Sequence, residues 1–278
     1  MIKLYFTDFW RSYNQNDNFF VSMMKRYNID YEINSENPDI IIYSIFGNKH
    51  KHYKNAKKIF YTGENRGPRQ DADLNLTFSF TNNYNNIRLP LWLIYMEYMG
   101  GEKFPQKNLI NLKLTPKNDA EFCNFIYSNN LGFRNNFCLN LMKYKHVACG
   151  GSCLNNIGGK VHDKLKFQQK FKFSIAFENG KGDGYVTEKI FHSYVSNTIP
   201  IYFGSKDVIK DFNPETFING HDFDNFDELI KYVIKVDNDN ELYNSYMNKP
   251  VFSKNWLNIF NDKDEKYLKD IFYRMKAR

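Results

Sequence analysis

The sequence contains no apolar run near the roughly 18 residues that a membrane-spanning helix needs. Only 8 prolines and 15 glycines occur in 278 residues, which excludes collagen-like and Pro/Gly-rich disordered chains. The four cysteines form no disulfide framework, and Cys149 and Cys153 have no second Cys or His pair nearby to complete a zinc site. Met1–Asp17 lacks the apolar core and cleavage site of a signal peptide. We therefore expect a cytoplasmic protein with reduced thiols and no bound metal.

The charge balance is basic, with a net charge of +7 and a pI near 9.0. This is compatible with anionic ligands, but the lysines are scattered and no Arg-rich or RNA-binding motif occurs, so we expect no nucleic-acid binding. The tail Asp262–Arg278 is predicted to form one mixed-charge helix, with Tyr267, Ile271 and Met275 on one face. We expect this helix to dock on the body of the protein or to make at most weak peripheral contact with a membrane.

Short apolar runs alternate with helical patterns, which predicts an α/β fold with buried parallel strands. The first series has strands at Ile2–Phe6, Pro38–Phe46, Lys58–Thr62 and Leu74–Phe80 and a helix at Asn18–Tyr27. After the polar connection Gly100–Lys117, a second series has strands at Glu121–Tyr127, Phe171–Phe177, Thr198–Phe203 and Phe217–Phe223 and helices at Arg134–Tyr144, at Tyr185–Val195 and from Phe226 onward. We predict two domains, 1–116 and 117–278, facing a cleft into which the carboxyl ends of the strands point.

The densest chemical signal is the segment 173–205, where a strand is followed by Glu178 and Asn179, a glycine-rich turn and a helix. Backbone N–H groups and the helix dipole make such a turn suited to phosphate. On the predicted helix, Tyr185 and Lys189 share a face. The residues alone leave the question open, because GKGDG matches neither known phosphate-binding glycine motif and Glu188–Lys189 is equally typical of a solvated ion pair.

As a block, this segment resembles the signature region of the α-1,3-fucosyltransferases of glycosyltransferase family 10. The matching residues are Phe177–Asn179 (FEN), Tyr185–Lys189 (YVTEK), Pro200 and Gly204. The neighbouring pattern at 211–228 (DFNP…HDF…NFDE) is similar to that of the short bacterial members that make Lewis-type antigens. Looser matches lie upstream, at Tyr61–Asn65, Arg88–Trp92 and 128–135.

The resemblance implies a GT-B fold, with two Rossmann-like domains, an N-terminal acceptor-side domain and a C-terminal GDP-fucose-binding domain. It also implies an inverting transfer of L-fucose from GDP-β-L-fucose to the 3-hydroxyl of N-acetylglucosamine or glucose in a β-galactoside oligosaccharide, with no required cofactor or metal. Two alternatives remain open: the same donor chemistry with another acceptor or linkage, and a non-catalytic relative that binds glycan or nucleotide.

The same resemblance assigns the donor site to five residues, Arg134, Asn179, Tyr185, Glu188 and Lys189. Arg134 and Lys189 would receive the diphosphate charge of the leaving group. Glu64, at a predicted strand end, is the candidate general base, and Glu178 is its competitor. The alternative for Glu64 is a loop carboxylate satisfied by Arg66 or by the backbone.

Two further features have ordinary explanations. Asp222–Asp224 is formally a D-x-D metal motif, but this pattern is short and common, so we expect no metal there. The three tryptophans, Trp10, Trp92 and Trp256, are either sugar-stacking platforms or core residues. We expect core packing for each of them.

Overall fold

The computed structural model describes residues 1–98 and 109–276, which divide into two compact units. The first unit consists of Met1–Gln106, Gly182–Tyr185 and Asn258–Arg278, and the second of Lys107–Lys181 and Val186–Leu257. Residues 100–108 of the expected polar connection at 100–117 lie outside the described residues. The units differ from the expected division at residue 116, because the first segment of the first unit ends at Gln106 and two later segments also belong to that unit.

The first unit contains a six-stranded sheet in which every neighbouring pair is parallel. The strand order is β2-β1-β3-β4-β5-β6. The bounds are β1 Ile2–Thr7, β2 Tyr31–Ile33, β3 Ile40–Tyr43, β4 Lys57–Tyr61, β5 Leu74–Thr77 and β6 Asn86–Arg88. The helices are α1 Phe19–Arg26 and α2 Leu91–Tyr98, with a 3-10 turn at Lys49–His52. Each residue of β3 is buried, as its unbroken Ile-Ile-Ile-Tyr run predicts.

The second unit contains a five-stranded parallel sheet in the order β11-β10-β9-β7-β8. Its strands are β7 Glu121–Phe125, β8 Val147–Cys149, β9 Phe171–Phe177, β10 Ile199–Phe203 and β11 Ile218–Asn219. The helices are α3 Gly132–Leu141, α4 Lys164–Gln168, α5 Glu188–Val195, α6 Val208–Asp211, α7 Phe226–Asn238 and α8 Asn240–Asn244, with 3-10 turns at Pro214–Thr216 and Gly220–Asp222. This is the α/β architecture that the alternating pattern predicts.

The helices near the carboxyl terminus are α9 Lys254–Asn261 and α10 Lys266–Lys276. Four apolar side chains of α10 are buried within the first unit, Leu268, Ile271, Phe272 and Met275. The ring of Phe272 lies 6.3 Å from that of Phe19 in α1. The tail therefore docks on the first unit through Ile271 and Met275, as predicted, together with Leu268 and Phe272, whereas Tyr267 is half-buried. Among the described residues, no helix has the length and apolarity to cross a membrane.

The helix expected at Tyr185–Val195 begins at Glu188, because Thr187 has extended N-cap geometry (φ −103°, ψ −169°). Val186, Ile190 and Tyr194 are buried as expected. Tyr185 precedes the helix and does not share a helical face with Lys189, so that part of the prediction is wrong.

Asp237, on α7, fastens this helix to the central strand of the second unit. Its carboxylate accepts hydrogen bonds from Tyr144 Oη (2.9 Å) and from Lys172 Nζ on β9 (3.1 Å), and it pairs with Lys145. Burial by itself raises the pKa of this carboxyl, but the bonds from Lys145 and Lys172 outweigh it and leave the pKa below its ordinary 3.8. The ion pairs are therefore most stabilising above this ordinary value, and their contribution is lost as the pH falls through the lowered pKa.

We expect Asp237→Asn to lower the free energy of unfolding at pH 7 by about 1–3 kcal/mol, because it removes charge-assisted hydrogen bonds at a buried position. The difference from the wild type should shrink as the pH falls from 3.8 through the lowered pKa of the native carboxyl, below which the wild-type side chain is also uncharged. Urea unfolding at pH 7 and at pH 3 measures both effects. Asp224→Asn, at an exposed loop position, is the control, and an equal loss in the two variants would contradict the assignment.

Candidate functional site

Glu178 lies directly after β9, at the carboxyl end of the central strand of the second unit. Its side chain is fully buried, and its carboxylate accepts hydrogen bonds from the N–H of Thr187 (2.7 Å), from Thr187 Oγ1 (2.7 Å) and from Lys189 Nζ (3.0 Å). Thr187 is the N-cap residue of α5, so the carboxylate lies at the positive end of that helix. Glu178 therefore fixes both the start of α5 and the position of the Lys189 ammonium.

The electrostatics of Glu178 are dominated by burial, which raises its pKa above the ordinary 4.5. The charge of Lys189 and the hydrogen bonds from Thr187 act in the opposite direction without reversing the shift. A buried carboxylate in this position is tolerated only because donors surround it. Its hydrogen-bond partners make it a structural anchor for Lys189.

Glu188 and Lys189, in the first turn of α5, form a charged cluster with Lys164 of α4. Glu188 Oε1 lies 3.8 Å from Lys189 Nζ, and Lys164 Nζ lies 3.1 Å from Nδ1 of His192. Burial alone would raise the pKa of Glu188, but the charges of Lys189 and Lys164 lower it to about 2. Burial and then Lys164 lower the pKa of His192 to about 3, so its imidazole is neutral at pH 7.

Lys164 is the member of this cluster that sequence reasoning did not single out. Burial lowers its pKa, and the charge of Glu188 partly offsets that effect. The sequence does show a short basic group at Lys164–Lys172. That signal does not place Lys164 near Glu188, because the interaction joins two separate helices and depends on how they pack.

Arg134, on α3, is brought to Asn179 at the carboxyl ends of β7 and β9. It is fully buried, and its guanidinium donates to Asn179 Oδ1 (3.0 Å), to the carbonyl oxygen of Phe177 (3.3 Å) and to that of Asn129 (2.7 Å). It also lies 3.6 Å above the ring of Tyr127, at cation–π distance. Asn179 is exposed, so this pair presents an amide at the surface with a buried positive charge behind it.

A cavity of about 310 Å³ opens beside Glu178 in the second unit. Its lining includes Phe133, Glu178, Lys181, Phe203, Gly204 and Phe226. The Lys181 ammonium lies 4.5 Å from the centre of the Phe203 ring. The second unit therefore has an aromatic and cationic pocket at its strand ends, where parallel α/β sheets bind ligands.

Tyr185 lies in the segment Gly182–Tyr185, which belongs to the first unit, and it precedes helix α5. Its buried ring packs edge-on against Phe78, with 4.8 Å between ring centres. Arg88 Nη2 donates to the carbonyl oxygen of Gly184 (3.0 Å). Gly184 has a φ of +63°, and a Cβ there would lie 2.2 Å from the carbonyl oxygen of Phe78.

Asp183 also holds the segment Gly182–Tyr185 in the first unit. Its carboxylate accepts hydrogen bonds from the backbone N–H of Phe80 (3.0 Å) and from the hydroxyl of Ser79. A Cβ on Gly182 would lie 2.1 Å from Oδ1 of Asn65. The sequence suggested phosphate binding for this glycine turn. Close contacts of Gly182 with Asn65 and of Gly184 with Phe78, within the first unit, already require glycine at both positions.

Glu64 follows β4 in the first unit, in a turn held by Thr62. The Thr62 hydroxyl accepts from the N–H of Glu64 (3.0 Å) and donates to its carbonyl oxygen (3.2 Å). Within residues 1–98 and 109–276 the Glu64 carboxylate makes no ion pair, with Arg66 or any other cation. The side chain is exposed and lines a cavity of about 560 Å³ in the same unit. Its carboxylate is therefore available to a ligand in that cavity.

The D-x-D sequence at Asp222–Asp224 has local hydrogen-bond partners. Asp222 Oδ1 accepts from Nδ2 of Asn219 at 3.1 Å. In the described part of the chain, no group of three or more His, Cys, Asp or Glu side chains is placed to hold a metal ion.

Two family models match the chain over most of its length. Residues 117–265 match the model for glycosyltransferase family 10 (fucosyltransferase), C-terminal part, and residues 4–95 match that for the α-(1,3)-fucosyltransferase FucT N-terminal domain. The chain therefore belongs to glycosyltransferase family 10.

Individual relatives agree with this class. An α-(1,3)-fucosyltransferase FucT of Helicobacter pylori is 35% identical, with 79% of this chain and 53% of that protein covered. The α-(1,3)-fucosyltransferase B of Drosophila melanogaster is 35% identical over 41% of this chain and 28% of its own length. The chain thus spans about half or less of these curated relatives.

A crystal structure of an α1,3-fucosyltransferase with GDP-fucose matches with a TM-score of 0.79 and 28% identity, covering 99% of this chain and 90% of that one. Together with the two parallel sheets, this match confirms the expected GT-B-type α/β fold class.

The anchor role of Glu178 generates a stability prediction. Glu178→Gln should lower the free energy of unfolding by about 3–5 kcal/mol, because it removes the nearer of the two carboxylates that pair with the largely buried Lys189 ammonium. Urea denaturation of the full chain measures the loss.

Glu228→Gln is the matched control, since Glu228 pairs with Lys231 at 2.8 Å but both side chains are exposed (47% and 71%). It should change the stability far less. Similar losses in the two variants would show that burial does not govern the Glu178–Lys189 pair.

Proposed function

We propose that the protein is an inverting α-1,3-fucosyltransferase that moves L-fucose from GDP-β-L-fucose to the 3-hydroxyl of N-acetylglucosamine or glucose in a β-galactoside glycan. The observation that carries this proposal is the Glu178–Thr187–Lys189 arrangement, which fixes an ammonium at the strand ends in a chain of family 10. In this proposal the second unit binds the donor and the first unit binds the acceptor.

The donor-side chemistry follows from charge. As the bond between fucose and GDP breaks, negative charge builds up on the leaving diphosphate, and fixed cations stabilise that charge without reorganising. Lys189 supplies a point charge that Glu178 already positions, and Arg134 adds positive charge behind Asn179. Glu188, ionised because its pKa is near 2, is suited to accept hydrogen bonds from ribose or fucose hydroxyls.

The acceptor-side chemistry needs a base. The acceptor hydroxyl attacks the anomeric carbon opposite the departing GDP and gives its proton to a carboxylate, so that a β-linked donor yields an α-linked product. We assign this role to Glu64, whose exposed carboxylate lines a cavity large enough for a sugar. Glu178 is less suited, because its carboxylate already accepts three donors and its side chain is fully buried.

The compartment and product belong to the same proposal. The four cysteines are free and buried, which fits a reducing cytoplasm. Transfer to N-acetyllactosamine would give a Lewis-type trisaccharide, and the proposal requires no metal because protein cations supply the positive charge.

The test is mass spectrometry of the full chain with GDP-fucose and N-acetyllactosamine, with and without EDTA, followed by linkage analysis. We expect a product one deoxyhexose heavier, α-1,3-linked and formed equally in EDTA. Another linkage would reassign the acceptor, whereas GDP-fucose binding without transfer to any β-galactoside would indicate a non-catalytic relative. A protein that does not bind GDP-fucose would overturn the proposal.

Lys189→Ala should weaken GDP-fucose binding at least tenfold, since a charge-assisted hydrogen bond contributes about 1.5–3 kcal/mol. Titration calorimetry of the folded variant measures the change. Lys189→Arg retains the charge and should recover part of the affinity, and Lys231→Ala, an exposed lysine on α7, is the control. Wild-type affinity in Lys189→Ala would remove this residue from the donor site.

Glu64→Gln should retain GDP-fucose affinity and lose transfer by about two orders of magnitude or more, because general-base catalysis contributes about 10²–10⁴-fold. Rate measurements at saturating donor and acceptor give the effect on kcat. Glu36→Gln, at an exposed loop position of the same unit, should behave as the wild type. An unchanged kcat in Glu64→Gln would move the base role to another group.

A further inference from the structure

Trp10 and Phe46 are large aromatic side chains that the fold leaves exposed. Trp92 and Trp256 are buried, at 0% and 3% exposure, as expected of core residues. Trp10 is 47% exposed and Phe46 is 53% exposed, so the expectation of core packing is wrong for Trp10. Their rings meet edge to face, with 6.4 Å between centres and an interplanar angle of 86°. The result is an aromatic corner on the surface of the first unit.

This aromatic corner borders the 560 Å³ cavity that Glu64 also lines. Part of the cavity lining is apolar, with Tyr61, Leu91 and Ile94. Polar groups suited to hydrogen-bond hydroxyls lie around it, at Asn14, Asp17 and Ser44. A largely apolar pocket with a few polar groups is the usual form of a small-ligand site.

The charges of the residues that line this cavity limit the kinds of ligand that it can bind. Among the described residues, the lining holds two carboxylates, Asp17 and Glu64, and no lysine, arginine or histidine. A nucleoside diphosphate would meet only negative charge there, which disfavours it. The lining instead suits a neutral molecule with hydroxyl groups and one apolar face, and a sugar ring has this character.

Asp8 holds the loop that carries Phe46 in place through hydrogen bonds. The backbone carbonyl of Asp8 accepts from the N–H of Phe46 (2.9 Å), and its carboxylate accepts from the N–H groups of Lys49 and His50 (2.9 Å each). His50 Nδ1 also lies 2.6 Å from this carboxylate, with both side chains buried. The loop that carries Phe46 is therefore preorganised, which lowers the entropic cost of binding a ligand there.

We propose that Trp10 and Phe46 bind the acceptor sugar by stacking against its apolar face, so that a ring hydroxyl faces Glu64. The inference rests on the proposed function, since it treats Glu64 as the base. It goes further by assigning acceptor affinity to two residues that lie outside the FEN and YVTEK segments and outside Tyr61–Asn65. Both are positioning residues and take no proton.

Direct saccharide binding tests the inference without requiring turnover. Because the other two tryptophans are buried, the emission of exposed tryptophan reports on Trp10. Adding N-acetyllactosamine or lactose to the full chain should change that emission in a saturable way, and Trp10→Phe should remove the change. Saturation-transfer NMR on the same samples should show contact from the sugar ring protons to the wild-type protein and weaker contact to Phe46→Ala.

Kinetics separate binding from chemistry. Trp10→Ala and Phe46→Ala should each raise the KM for N-acetyllactosamine about fivefold to tenfold, as expected for the loss of one aromatic contact, while GDP-fucose affinity stays unchanged. Trp10→Phe retains an aromatic face and should recover part of the loss. Tyr273→Ala, which removes a 64% exposed ring of α10 outside the cavity lining, is the matched control. Thermal unfolding checks that each variant is folded.

The outcomes distinguish the two proposals. Saccharide binding that depends on Trp10 and Phe46 in a protein that transfers no fucose supports this inference and contradicts the proposed function. Fucose transfer with unchanged acceptor KM in folded Trp10→Ala and Phe46→Ala overturns this inference and leaves the proposed function intact. A wild-type protein that binds neither sugar in the two binding measurements overturns the inference, whatever its activity.

Discussion

The hydrogen bonds around the Glu178 carboxylate are the constraint on which the second unit's site depends. Taking a carboxylate out of water costs several kcal/mol, and Thr187 and Lys189 make that burial tolerable. The same bonds fix the first residue of α5 and the ammonium that follows it. The FEN and YVTEK sequences are therefore joined by hydrogen bonds, from Thr187 and Lys189 of the second to Glu178 of the first.

The glycine segment between these two sequences has a separate physical origin. It belongs to the first unit, where Gly184 approaches the backbone of Phe78 and Asp183 accepts from Phe80. A glycine-rich turn before a helix is typical of a phosphate site, but here close backbone approach already accounts for Gly182 and Gly184. Spacing alone does not distinguish the two causes, because both need a residue without a Cβ.

The sequence predicted those parts of the fold in which local pattern and burial agree. Strand β9 has the predicted bounds, since every apolar residue of Phe171–Phe177 is buried, as expected of a strand in a sheet covered on both faces. Strands β2, β6 and β8 have three residues each and are too short for any period to be visible. Helix α2 is apolar around most of its circumference, with Trp92, Leu93, Ile94 and Met96 buried, and it lacks the polar face that would indicate a helix.

The site was predictable where it depends on strand ends and unpredictable where it depends on tertiary contacts. Arg134 and Asn179 meet because β7 and β9 are parallel neighbours, as an α/β layout implies. The contact of Lys164 with His192 joins two helices, and the exposure of Trp10 depends on the loop that Asp8 holds. No local pattern encodes either contact.

The charges in the two units suit two different kinds of ligand. In the second unit, Lys189 and Lys164 lie beside Glu188 at the strand ends, whereas the described lining of the first unit's cavity has carboxylates and no cation. A cation beside Glu64 would occupy the carboxylate and attract the diphosphate. Without one, hydroxyl groups are the natural hydrogen-bond partners of Glu64. In the proposed reaction, this asymmetry directs an anionic donor to one unit and a neutral acceptor to the other before any specific contact forms.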